Sequence, residues 1–107
     1  MYKASLRRTA LVALSGVWSS LALAHFPFVE CHQGTVDIVC QGGFSDGSSA
    51  QGITVDLISY DEEIIASKTF NDASSVEFAP YDGEFYILLD AGPGHTVEVD
   101  WNEIKAP

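Results

Sequence analysis

Short runs of apolar residues, most of them alternating with polar ones, mark the chain from His25 onward. The plainest is Phe85 to Leu89, five large apolar residues with room for one buried strand. Gly92-Pro93-Gly94 follows as a turn. Alternation resumes at His95, with Val97, Val99 and Trp101 set against Thr96, Glu98 and Asp100. A buried strand, a glycine turn and a half-buried strand predict a hairpin with His95 at its corner. Upstream, the pattern predicts strands over His25 to His32, Thr35 to Phe44, Ile53 to Tyr60, Ile64 to Phe70 and Ser75 to Ala79. Turn residues separate them: Gln33-Gly34, the polar loop Phe44 to Gly52, Asp61-Glu62-Glu63, Asn71 to Ser74, and Tyr81-Asp82-Gly83. No segment carries helical periodicity or helix caps. The expectation is an all-β domain over residues 25–101, a single seven-stranded antiparallel Greek-key β-sandwich, with a frayed tail over 102–107.

Register decides the two cysteines. If Gln33-Gly34 is the whole turn, His32 pairs with Thr35 and Cys31 lies opposite Val36. Val29, Cys31, Val36, Ile38, Cys40 and Phe44 then share the core face. Cys40 sits four residues past the partner of Cys31, about 13 Å away at the usual strand rise. That exceeds the reach of a disulfide, so this register predicts two reduced, buried thiols. Another register would permit a bridge.

The first 24 residues have a different character. Lys3, Arg7 and Arg8 precede an apolar run from Ala10 to Leu23, and Ala22-Leu23-Ala24 is an A-x-A cleavage site. These three parts predict a secretory signal peptide over 1–24, cut between Ala24 and His25. The run is too short and too serine-rich for a membrane anchor, so no stable membrane insertion is expected after cleavage. A periplasmic or secreted location follows. Cleavage would leave 83 residues, enough for one small domain. All 15 acidic residues lie beyond residue 24, against only Lys68 and Lys105, a formal charge of −13. Such a surface repels nucleic acid and anionic membrane and attracts cations loosely.

Candidate chemistry rests on histidines. His25 as a first residue would offer an α-amino group and an imidazole to one metal ion, a donor pair suited to Ni²⁺, Co²⁺ or Cu²⁺. By parity, His25 and His95 both point to the core side at the starts of the first and last strands. Those strands are parallel neighbours in many sandwiches, which would gather His25 and His95 into one metal site, with Asp90 or a water completing the shell. The alternative for His95 is a turn residue whose ring bonds a backbone carbonyl. Gly92, Pro93 and Gly94 are structural turn residues in either case. His32 points to the face opposite Cys31, which disfavours a metal pair there. No G-x-S-x-G elbow, phosphate loop or metalloprotease helix is present, and no pair of acids stands out for acid–base work, so no enzyme is expected.

The motifs Gly43-Phe44-Ser45-Asp46-Gly47, Val55-Asp56-Leu57 and Gly83-Glu84-Phe85-Tyr86 resemble transthyretin-like and carboxypeptidase-regulatory-like sandwiches. More narrowly, Ala24-His25, Phe44-Ser45-Asp46-Gly47 and Asp90-Ala91-Gly92-Pro93-Gly94-His95 resemble the periplasmic accessory components of energy-coupling-factor nickel and cobalt uptake transporters. The chain departs from that pattern in having three histidines in all and Thr96 after the turn histidine. The resemblance implies a non-enzymatic domain that binds or delivers nickel or cobalt to a membrane transporter component. The alternative is a structural or protein-interaction module of the same fold with no metal role.

Overall fold

A computed structural model describes residues 25–106 of the chain. The leader expected over 1–24, with its expected cleavage after Ala24, lies outside the described residues. Seven strands follow one another: β1 Pro27–Gln33, β2 Ile38–Phe44, β3 Thr54–Ser59, β4 Ile64–Thr69, β5 Ser75–Phe78, β6 Phe85–Asp90 and β7 Thr96–Asp100. They form two antiparallel sheets, one of order β1-β2-β5 and one of order β4-β3-β6-β7. The expected strands are all present; β1 starts two residues later and runs on to Gln33, β2 starts three later, β6 gains Asp90, and the others lose a residue at one or both ends.

One buried core joins the two sheets. Cys31, Ile38, Cys40, Val76 and Phe78 meet Val55, Leu57, Ile87, Leu89 and Val99, with Phe70 and Phe85 closing the ends. The buried residues of β6 are Phe85, Ile87 and Leu89, while Tyr86 and Leu88 are half-buried on the other face. A run that is apolar throughout thus still has an inner and an outer side.

The cysteines correct the sequence expectation. Cys31 and Cys40 are direct cross-strand partners and form a disulfide, with Cα atoms 4.1 Å apart. The connection between β1 and β2 is four residues, Gly34 to Asp37, and not two, because Gln33 pairs with Ile38. Gly34 N–H donates to the Asp37 carbonyl at 2.8 Å. The Gln33 amide nitrogen reaches the carbonyls of Gly34, Val36 and Asp37 at 3.2, 3.2 and 3.4 Å. Relative to the two-residue turn, the register moves by four positions on β2. An even shift keeps every residue on its face. Val29, Cys31, Ile38 and Cys40 are therefore buried as expected, while the separation of the cysteines collapses. Val36, expected in the core, is 68% exposed because it lies in the loop.

The C-terminal tail is also more ordered than expected. Trp101–Glu103 forms a 3-10 turn, with Asp100 N–H donating to Glu103 Oε1 at 2.8 Å. Lys105 then bridges to His32 in parallel, accepting from Gln33 N–H at 2.8 Å and donating to the Cys31 carbonyl at 3.3 Å. Ile104 packs on the core beside it. Trp101 begins this turn and is 40% exposed, not inward as the alternation suggested. The strap covers part of the outer edge of β1, and β1 and β7 lie side by side. The first and last strands are thus neighbours, though in different sheets.

Candidate functional site

His25 lies just before β1, and its ring is held on two sides. It stacks on Phe44 at the end of β2, with ring centroids 4.5 Å apart and planes 15° from parallel. Its Nδ1 is 2.7 Å from Asp46 Oδ2. The contact forms because the neighbouring backbone is tied to the same loop. Phe26 N–H donates to Ser45 Oγ at 2.8 Å, and Ser45 N–H donates back to the Phe26 carbonyl at 2.7 Å.

Asp46 sits in a tight turn. Gly47 N–H donates to the Phe44 carbonyl at 2.9 Å, and Gly47 has φ +87°, a conformation glycine reaches without strain. The other carboxylate oxygen, Asp46 Oδ1, accepts from Ser48 N–H at 2.9 Å and from Ser48 Oγ at 2.6 Å. These bonds, first those from Ser48 and then that from His25, stabilise the anion and lower its pKa from 3.8 to about 2. A carboxylate with one oxygen fixed by a serine and the other aimed at an imidazole is a pair of anion and nitrogen donor held in place before any ligand arrives.

The β6–β7 corner has the form of the alternative reading of His95, a turn residue whose ring bonds a backbone carbonyl. His95 N–H donates to the Gly92 carbonyl and its own carbonyl accepts from Ala91 N–H, both at 2.9 Å. The His95 ring is exposed, and its Nδ1 lies 3.0 Å from the Pro93 carbonyl. Asp90 Oδ1 accepts from Gly92 N–H at 3.0 Å. Gly92 and Gly94 have φ of +114° and +77°, so the corner needs its glycines. His25 and His95 are both exposed, not core-facing as strand parity suggested. Each lies just outside the regular strand, where alternation no longer sets direction. The hydrogen bonds of His95 and Asp90 stay within their own turn, and His25 is turned to Asp46. Among the described residues no group of three or more histidine, cysteine or acidic side chains is gathered as a metal cluster. Cys31 is in the disulfide, and His32 is exposed on the other face of β1.

A second feature was not read from the sequence. On the outer face of the four-stranded sheet, Tyr60, Glu62, Tyr86, Glu98, Asp100 and Glu103 line a cleft of about 390 Å³. Tyr60 OH donates to Asp100 Oδ1 at 2.6 Å and Tyr86 OH to Glu62 Oε2 at 2.9 Å. Each bond holds the phenol proton against a carboxylate and raises the tyrosine pKa above 10. The signal available beforehand was the parity of Tyr86, which shares the outward face with Leu88. What places Tyr60 and Glu62 beside it is the β3–β4 turn, whose path parity does not give.

Compared with known proteins, the chain matches no family model, no curated protein and no solved structure.

Proposed function

We propose that this is an exported, non-enzymatic sandwich of the transthyretin-like, Greek-key type that captures a divalent transition-metal ion and hands it to a membrane uptake transporter. The reading takes residues 1–24 as a leader whose removal makes His25 the first residue. The observation that supports it is the state of the His25 side chain. A residue left over from cleavage has no reason to be positioned, yet this ring is stacked on Phe44 and bonded to Asp46. With a freed α-amino group, His25 presents two nitrogens on one residue, a donor set that fits nickel, cobalt or copper. The acidic surface raises the local concentration of such cations. Both side chains remain half-exposed, so an ion carried there can leave as well as arrive.

Calorimetric titration of residues 25–107 with Ni²⁺, Co²⁺ and Cu²⁺ tests the reading. One-site binding is expected. It should vanish in His25→Ala and in a form with one extra residue before His25. Equal binding in all three forms would sink it.

A second reading, a protein-interaction module with no metal role, has its own support. The tyrosine and carboxylate cleft lies on an outer sheet face, and β4 is an edge strand with Ile64 59% and Ile65 39% exposed. That reading expects only weak metal uptake that salt abolishes, so the same titration at low and moderate ionic strength separates the two.

A further inference from the structure

We infer that Asp46 is the second side-chain ligand of the His25 metal site, with Ser48 as its positioning residue. The inference rests on the proposed metal role of His25 and names the partner that the β6–β7 corner was expected to supply. His25 Nδ1 and Asp46 Oδ2 face each other at 2.7 Å. A late transition ion holds nitrogen and oxygen donors at about 2.1 Å each, so two donors at right angles are about 3.0 Å apart. Donors at a tetrahedral angle are about 3.4 Å apart at the same bond lengths. The ion can therefore replace the proton shared by the pair, which leaves to solvent, after an opening of a few tenths of an ångström. The α-amino group of His25 is the third donor once residue 24 is removed.

Preorganisation comes from the loop. Ser48 holds Asp46 Oδ1 with two hydrogen bonds and so aims Oδ2 at the ring. The reciprocal Phe26 and Ser45 bonds fix the backbone of the histidine to the backbone of the carboxylate loop. Phe44 supports the ring from one face.

The test uses the form that begins at His25, titrated with Ni²⁺ and Cu²⁺ by calorimetry, with the visible spectrum of the Cu²⁺ complex recorded for each variant. Asp46→Asn keeps an oxygen that accepts from Ser48, so the loop is expected to keep its shape and the variant to stay folded throughout the titration, which its unfolding midpoint checks. Its affinity should fall by about tenfold or more, and its Cu²⁺ band should move as an anionic oxygen donor is lost. Ser48→Ala should weaken binding to a lesser degree, Asp46→Glu should recover part of it, and His95→Ala and Asp90→Asn should bind like the parent. Parent-like affinity and spectrum in Asp46→Asn would overturn the inference and leave the proposed function standing. Loss of affinity in His95→Ala or Asp90→Asn in place of Asp46→Asn would do the same and return the site to the hairpin corner. A parent protein that binds neither ion removes both.

Discussion

Two adjacent glycines show how much a single side chain weighs in this fold. A Cβ on Gly42 would lie 2.7 Å from Cζ of Phe70, a ring that is 2% exposed and closes one end of the core. A Cβ on Gly43 would lie 2.8 Å from Cζ of Phe28, but that ring is 47% exposed and can swing away. Gly42→Ala should therefore cost about 1–3 kcal/mol through overpacking, and Gly43→Ala well under that. Urea unfolding of the two variants checks the contrast, and equal losses would refute it. The outer-face tyrosines give a pH prediction. Their folded pKa values are raised, first by the hydrogen bonds to Asp100 and Glu62 and then by partial desolvation. A raised folded value means that the folded state holds the proton more firmly than the unfolded chain. The stabilisation is complete below pH 10 and is lost as pH rises through the raised values. Ultraviolet titration of tyrosinate should show two late-ionising tyrosines. Asp100→Ala should bring Tyr60 back toward 10, because both the accepting oxygen and its charge are removed.

The β1–β2 hairpin and the C-terminal strap are the elements whose behaviour departs most from strand pattern alone. The disulfide closes a loop with a sequence separation of 9, and the chain-entropy relation assigns such a loop about 2.5 kcal/mol. Replacing both cysteines by alanine should cost about 2–5 kcal/mol in a domain this small, measured by chemical denaturation. A thiol assay on the native protein should find no free cysteine. The strap was expected to fray, yet it supplies a parallel bridge to β1 and brings Ile104 onto the core. Ending the chain after Glu103 removes three backbone hydrogen bonds and one apolar contact. The expected loss is about 2–4 kcal/mol from the ordinary worth of each. Hydrogen exchange at Gln33 N–H should accelerate in the same variant. An unchanged rate would mean that the strap contributes nothing.

For the molecule as a whole, charge is the dominant imbalance. A formal −13 over residues 25–107 is offset by very few attractive pairs. Among the described residues the one contact within salt-bridge distance is between the His25 ring and Asp46. Lys68 instead donates to the Glu77 carbonyl at 2.7 Å and lies 5.8 Å from the Phe78 ring centroid, linking the two sheets at their β4 and β5 edges. Salt therefore has much repulsion to screen and little attraction to weaken. Raising ionic strength from about 0.01 to about 0.15 M shortens the Debye length from about 30 to about 8 Å. The thermal midpoint should rise by a few degrees over that range, and a fall would show that hidden ion pairs matter more than the net charge.

Strand number, strand order along the chain, inner and outer faces and the turn glycines were legible in the residue pattern. Alternation is a local property, and a face is preserved under any even shift of register. Distances across the chain were not legible. The turn after Gln33, whose side chain contacts three of its carbonyls, is two residues longer than expected, and two cysteines expected about 13 Å apart are bonded. The histidines failed as core-facing residues for a related reason. Both sit one or two positions outside their strands, where parity has no authority. His25 was legible as a candidate because the A-x-A pattern before it is written in consecutive residues. Asp46, 21 positions away, became its neighbour through the β1–β2 pairing and the loop that follows it. Local chemistry follows from neighbours in sequence, whereas a site follows from which loops a register brings together.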